Sequence, residues 1–543
     1  MTEAAMRGWR TPIYLLASLI VVVLLGGGLW FGSQMLKVRE IFAANETLKE
    51  EGYYLAPFEF EMLSISYYLD TGAYRKGLTA LNRVHTEMTD RGGLVKVPVF
   101  ETPDEELAFY RRLQNPLTGA FYPNDTDPPV AFIGVTANMI NLIERLSLEA
   151  DRPFSLLYPL NFLESIATPE TLEAMLDDVS RVGWVGRLIK PAFVSAIELQ
   201  DLIEQDERLG FYGFSEDWKH AFYQWFYDNQ DPETGLWGPR DRYTGAMLGG
   251  GDIGDSGKII KMFVDTNGNN IHADMPLRYT DRIFASAISR LSTPIPEAPD
   301  RLHRWILDQD RGFRFLTKYV WKNATPAQKD TVADLLEHFV TTRFSLYYLP
   351  KDGAFSLYPH AEHPDLDGTS EAAGMLDYTG ALSPSRQAAL WGSPETTITR
   401  LERRTVAALD VEALAPIADR PDIISLRVYA EEPTANFTAD VMAIYYPRQP
   451  LVRDTVELVQ HLRHWLEKTE QTMGNWGTRD GIMERLSAID IPLSTPTYGP
   501  GNFAALNATL EENRQLVAIG FDTLQVPRYL ATFEKAGAGT QKP

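Results

Sequence analysis

The side chains best suited to chemistry in this sequence are acids in two short stretches. The first is Gly249-Gly250-Gly251-Asp252-Ile253-Gly254-Asp255, just ahead of an apolar segment with Ile259, Ile260 and Phe263. One of these aspartates fits a helix N-cap, worth about 1 kcal/mol. The other reading turns a carboxylate into a cavity as an acid, a base or a ligand, and the triple glycine lets backbone approach closely. The second stretch packs His360, Glu362, His363, Asp365, Asp367 and Glu371 into twelve residues. It fails as an EF-hand, because His363 would hold the first position and Gly374 the last. A looser calcium site from Asp365, Asp367 and Glu371 and a solvated acidic loop remain as alternatives, and no resident metal or cofactor is expected. Two carboxylates across a cavity suffice for glycoside hydrolysis, at about 5–5.5 Å for retention or 6.5–9.5 Å for inversion. The candidate catalytic acids are therefore Asp252, Asp255, Asp367 and Glu371. Trp237, Tyr358 and His360 are the candidate contacts to a sugar.

Composition closes off other chemistries. The 543 residues include 51 basic and 73 acidic side chains, a net charge of −22, which excludes a general nucleic-acid partner. There is no cysteine, so disulfides, thiolate zinc sites and a cysteine nucleophile are excluded. Gly251 to Lys258 looks like a phosphate loop, but Asp252 stands where the first glycine is required and Ile259 follows the lysine. No Gly-x-Ser-x-Gly elbow or His-Glu-x-x-His helix is present. His461 and His464 share a helix as a surface pair or a metal pair. Asp265-Thr-Asn-Gly-Asn-Asn270 reads as a turn.

The elements that must position these residues come from a repeat. Gln114-Asn-Pro-Leu-Thr-Gly-Ala-Phe121 matches Gln230-Asp-Pro-Glu-Thr-Gly-Leu-Trp237, and a shortened copy is Pro350-Lys-Asp-Gly-Ala-Phe355. The shared glycines, Gly119, Gly235 and Gly353, lie 116 and 118 residues apart. Each copy follows a helix-like segment: Glu105 to Arg112, Trp218 to Asp228, and Asp330 to Tyr348. Proline ends a helix and glycine takes positive φ, so the motif reads as a helix stop, a tight turn and a buried aromatic plug. A period of this length holds two helical hairpins. Helical spacing of Phe58, Met62, Ile65 and Tyr68, and of Val135, Met139, Leu142 and Leu146, agrees. On this alignment Asp367 falls opposite Asp252, which would bring both to one rim of a closed ring.

Beyond each turn come a polar loop and a helix opened by a small polar residue: Thr136 onward, Asp252 onward and Asp367 onward. This pattern resembles the repeats of the protein prenyltransferase β-subunit and squalene cyclase superfamily, over roughly 350 of 543 residues. The resemblance implies an (α/α)6 toroid of six helical hairpins around a cavity, over residues 45–400. It does not carry over either activity. The zinc-dependent transferases need a cysteine ligand, and the nearest match to the cyclase Asp-x-Asp-Asp motif is Asp365-Leu-Asp-Gly368.

The ends differ from the repeat. Thr11 to Leu36 is free of charge and long enough to span a bilayer, so it is expected to be a transmembrane signal anchor after a cytoplasmic segment 1–10. The rest of the chain is then placed outside the cytoplasm, periplasmic or at the cell surface. Residues 401–535 read as a small α+β region, with strands at Ile424 to Ala430 and Val441 to Tyr446 and a helix after Asp454; residues 536–543 read as a disordered tail. The leading functional expectation is an enzyme that binds or cleaves an envelope polysaccharide, as a glycoside hydrolase or polysaccharide lyase. The alternatives are a non-catalytic scaffold subunit of a membrane complex and an isoprenoid-handling, cyclase-like protein.

Overall fold

The computed structural model of the chain describes residues 33–45, 47–48, 51–382, 386, 389–390, 397–407, 423–430, 436–445, 455–472, 474, 477–487, 515–521, 528–530 and 534–535. The expected anchor lies outside these residues up to position 32, as does the tail at 536–543. Among the described residues no helix is long and apolar enough to cross a membrane. The described chain is mainly helical.

It forms two compact units. The first runs to Gln230 and adds Trp237–Asp255; the second takes Asp231–Leu236 and everything from Ser256 onward. The first unit begins with helix α1 (33–45). It continues through α2 (Phe58–Asp70), α3 (Tyr74–Asp90), α4 (Pro103–Arg111), α5 (Ile133–Glu149), α6 (Pro169–Ser180), the short α7 (Trp184–Leu188), α8 (Phe193–Leu209) and α9 (Glu216–Asp228). Helices α2 and α3 form a tight hairpin over Thr71–Ala73, and α5 packs on α4 and α8. The periodic residues of α2 are the core: Phe58, Met62 and Ile65 pack with Leu81, Val84 and Met88 of α3. At about 25 cal/mol per Å² of apolar area, burial of such faces is what holds helices this short in place.

Helix α10 (Ile253–Ile259) carries the chain from one unit into the other. The second unit then contains α11 (Thr280–Leu291), α12 (Pro299–Phe315), α13 (Pro326–Tyr347) and α14 (Leu366–Tyr378). α12 touches α11, α13 and α14. Several helix starts are written in the chain as Thr-Pro. Thr102, Thr168 and Thr325 each accept the backbone N–H three residues on, and Pro103, Pro169 and Pro326 follow at the first helical position.

The C-terminal part has helices α15 (Thr455–Lys468) and α16 (Arg479–Ser487) and an antiparallel sheet. The expected hairpin is there: Ile423–Ala430 pairs with Asn436–Tyr445. It is the middle of a larger sheet. Thr397–Ala407 flanks it on one side and Gln515–Phe521 on the other, with Arg528–Leu530 and Glu534–Lys535 pairing onto the latter. The strand from Thr397 begins inside the span read as helical repeat. Its sequence, Thr-Ile-Thr-Arg-Leu-Glu-Arg-Arg-Thr-Val-Ala, is too charged to announce a strand, and its ladder with Asn436–Tyr445 supplies what its propensity lacks.

Candidate functional site

The repeated turns share one geometry. In the first, the Asn115 N–H donates to Ala120 O and the Gly119 N–H to Asn115 O, both at 2.8 Å; in the second, Asp231 N–H donates to Leu236 O at 3.0 Å and Gly235 N–H to Asp231 O at 2.8 Å. Gly119, Gly235 and Gly353 have φ of 74°, 71° and 72°. A Cβ at Gly119 would lie 1.9 Å from Pro159 O, and one at Gly353 2.8 Å from His461 Cβ. The aromatic plugs Phe121, Trp237 and Phe355 are all buried. Trp237 sits among Phe193, Trp225 and Asn229 with no space left for a water, and its indole N–H donates to Phe226 O at 2.7 Å. Its ring therefore has no face open to a sugar in this conformation.

The helices after the turns fix a repeat register that differs from the one expected. Asp252 N–H donates to Trp237 O, and Asp252 Oδ1 accepts the Asp255 N–H at 2.9 Å. In the third copy Asp365 does both jobs: its N–H donates to Phe355 O, and its Oδ1 accepts the Gly368 N–H at 2.6 Å. Thus Asp365, not Asp367, is the counterpart of Asp252. Phe121 N–H and Phe355 N–H both reach a threonine hydroxyl of the following helix, Thr136 and Thr369. The counterpart of Thr369 is Ser256, four residues after Asp252 as Thr369 is four after Asp365. The acidic stretch offers aspartates at both 365 and 367, so repeat spacing alone does not distinguish them.

The candidate acids are thus divided. Asp252 and Asp255 lie in the first unit, Asp367 and Glu371 in the second. Asp365 is consumed by structure, since its Oδ2 also accepts from Ser356 Oγ and Leu357 N–H. Among the described residues no three His, Asp or Glu side chains are gathered as metal ligands. Tyr358 and His360 are exposed, and Tyr358 stacks on His303 with ring centroids 4.8 Å apart. Asp367 and Glu371 share a face of α14 at i and i+4. Asp367 is buried under the segment at Gly474, where a Cβ would stand 2.4 Å from its Oδ1. His461 and His464 are both exposed, and Asp265 holds its turn through the N–H groups of Asn267 and Asn269, each at 2.8 Å.

Glu371 is where the structure concentrates chemistry. Its neighbour is Asp310, on the core face of α12 in step with Leu302, Ile306 and Phe313. Arg314, one turn on, spans the pair: its Nη2 lies 2.7 Å from Asp310 Oδ2 and 3.1 Å from Glu371 Oε2. Tyr378 of α14 donates its hydroxyl to Asp310 Oδ1 at 3.0 Å. Arg343 of α13 is also buried. Its Nη2 donates to Gly368 O at 3.1 Å, while its Nε and Nη1 have no protein partner.

Burial, then the charge of Asp310 and the hydrogen bond between them, push the Glu371 carboxyl up to about 8; Arg314 and Arg343 only partly oppose this. Burial alone would raise Asp310 as well. Arg314, the hydrogen bond to Glu371 and Arg343 outweigh it and hold Asp310 below its ordinary value. The two shifts, up for Glu371 and down for Asp310, favour a pair that shares one proton at neutral pH, held toward Glu371. Asp310 is fully enclosed, whereas 17% of the Glu371 side chain meets solvent.

A chemically similar cluster lies in the first unit. Arg83 Nη2 and the Tyr122 hydroxyl each stand 2.8 Å from Asp127 Oδ2. Glu61, also buried, is pushed up to about 7 by burial first, then by Glu87 and Asp127. Neither Asp310 nor Asp127 was singled out from the sequence. The available signal was an acid at a core position of an amphipathic helix with an arginine four residues on, Asp310 and Arg314.

These two raised carboxyls predict how stability depends on pH. Each holds its proton more tightly folded than unfolded, where the ordinary value is 4.5. Their stabilising contribution is full below about 4.5 and is lost as pH rises through about 7 for Glu61 and about 8 for Glu371. Each group contributes a slope of up to ~1.4 kcal/mol per pH unit in that window. Asp310, shifted the other way, acts only on the acid side. Thermal midpoints should fall between pH 5.5 and 8.5, and Glu371→Gln should flatten that fall; a midpoint independent of pH in both proteins would contradict the proton assignment.

Comparisons with protein-family models, with curated proteins and with solved structures find no match for this chain.

Proposed function

We propose that this chain is a membrane-anchored, extracytoplasmic protein that acts on a glycan, with Glu371 as its general acid. One observation supports the reading: burial, and then the enclosed Asp310 behind it, push the partly solvent-accessible Glu371 carboxyl up to about 8 against the opposing charge of Arg314. A general acid works best when its pKa lies near the operating pH. Asp367, one turn away on the same face of α14, is the nearest candidate for the second carboxylate. The proposed scaffold is an α/α toroid. Its support is the threefold turn, the 116- and 118-residue spacing, and eleven helices of nine or more residues between residues 51 and 382. The proposed anchor is the uncharged run Thr11 to Leu36.

The test is turnover of a panel of neutral and acidic polysaccharides by the purified full chain in detergent, read as new reducing ends and as the near-ultraviolet absorbance of an unsaturated sugar. Loss of general acid–base catalysis typically costs ~10²–10⁴-fold, so Glu371→Gln should lower the rate by that much. Glu61→Gln, at the more deeply buried of the two raised carboxyls, should leave it within a few-fold. A Glu371→Gln variant as active as the parent would end the proposal.

A second reading, a non-catalytic scaffold subunit, is favoured by the likeness of the two clusters. Acid, arginine and tyrosine are knitted together in both units, as polar networks that specify a core would be. Inactivity on every glycan, with both clusters needed for stability, would select it.

A further inference from the structure

This strongly acidic chain holds a cavity of the opposite character. In the second unit, a cavity of about 470 Å³ is lined by Lys318, Lys322, Lys329 and Arg386, with Trp321 as an apolar wall, and no acidic side chain lines it among the described residues. Small-molecule sites typically have volumes of ~300–1,000 Å³. Two acids act on the cations from outside the lining: Asp377 lies 2.5 Å from Lys318 Nζ, and Asp265 lies near enough for Lys322 to help lower its pKa. Among the described residues the four cations of the lining outnumber these two acids, one of which, Asp377, also acts on Arg386.

The backbone is shaped for this. Helix α12 does not end cleanly; it widens into a π-turn over Leu316–Val320 before a 3-10 turn at Trp321–Asn323. Such turns are often found at functional sites, because they swing side chains out of the regular helical order. Here the irregular turns bring Thr317, Lys318, Trp321 and Lys322 to the cavity wall. The loop Thr266–Gly268 closes one side, and Gly268 approaches closely enough that a Cβ would be 3.0 Å from Tyr319 O. The cations are held rather than loose. Lys322 Nζ donates to Asn269 Oδ1 at 2.8 Å, and Lys329 Nζ sits 5.6 Å from the centre of the Trp321 ring.

We propose that this cavity is a binding site for a small oxyanion, a carboxylate- or phosphate-bearing molecule, with Lys322, Lys329 and Arg386 supplying the charge. Its argument is independent of the glycan reading, since none of these residues belongs to the Glu371 cluster. Burial lowers the pKa of Arg386 even though Asp377 and Tyr319 oppose this, so an anion in the cavity would further favour its charged form.

The experiment is isothermal titration of the purified full chain in detergent with inorganic phosphate, galacturonate and glucose, at low and high sodium chloride. We expect saturable binding of phosphate or galacturonate, no binding of glucose, and weakening with salt. The anion that binds identifies the source. Lys322→Gln/Lys329→Gln should weaken that binding at least tenfold, whereas Lys322→Arg/Lys329→Arg should retain most of it. Lys322 is exposed and Lys329 half-buried, so the pair should be removable without unfolding the chain. Should the glutamine variant unfold, Arg386→Gln decides the same question. Binding of neither anion, or unchanged binding in the neutralised variant, overturns the proposal.

Discussion

Arg314→Met should destabilise the second unit by about 3 kcal/mol. Breaking a buried ion pair from one side costs ~3–5 kcal/mol because it leaves the other charge enclosed and unanswered. The lower end applies here, since 40% of the Arg314 side chain is exposed and solvent already screens part of the pair. Asp310 is fully enclosed, so the loss falls on it. Asp310 would then take up a proton, and the proton now on Glu371 would no longer be favoured by an ionised neighbour. Two consequences separate this from a simple loss of packing. The variant should be least destabilised in acid, where Asp310 protonates most readily, and Asp310→Leu/Arg314→Met should recover most of the loss, since apolar replacement of a whole buried pair is often neutral. Urea unfolding at pH 5 and pH 8 checks both. A loss under 1 kcal/mol, equal at the two pH values, would mean that Arg314 is a surface residue in effect.

Gly119→Ala should cost about as much, for a different reason. A φ of 74° costs an L-residue ~1–2 kcal/mol by itself. At Gly119 the new Cβ also meets the backbone of Pro159 and Leu160, which cannot step aside as a side chain can. Displacing that segment adds ~1–3 kcal/mol on the scale of overpacked sites. It would also disturb Gln114, whose Nε2 donates to Gly119 O and Tyr158 O at 2.7 Å, tying the turn to the same segment. Gly210 is the control. Its φ is 67°, but nothing lies within 4 Å of a Cβ there, so Gly210→Ala should cost only the backbone term. Gly353→Ala should fall between, because its nearest obstacle is the side chain of His461. Equal urea midpoints for the Gly119 and Gly210 variants would show that the turn does not need its close approach.

Much of the helical frame was legible along the chain because its causes are local. The segments ahead of the three turns were read as Glu105 to Arg112, Trp218 to Asp228 and Asp330 to Tyr348, and they are α4, α9 and α13 within a few residues. Thr-Pro starts and glycine stops act over three or four residues, and a helical apolar stripe declares its buried face without reference to a partner. The burial of Phe121, Trp237 and Phe355 followed from the same turn chemistry.

The site was only half legible, and the missing half is tertiary. Glu371 stood out as an acid after the third turn, but no local rule joins it to Asp310, 61 positions away on another helix. The upward shift of Glu371 comes from burial and from the enclosed Asp310 beside it, both of which depend on how α12 and α14 pack. The repeat register was decided in the same way. Aspartates at 365 and 367 are equivalent as letters, and only the hydrogen bond from the Asp365 N–H to Phe355 O selects one as the counterpart of Asp252. The basic cavity gathers residues from 266 to 390, so its charge appears only when distant segments meet. Caps, turns and stripes are encoded by neighbours in sequence, whereas pKa shifts, ion pairs and cavities depend on distances between groups that sequence order leaves free.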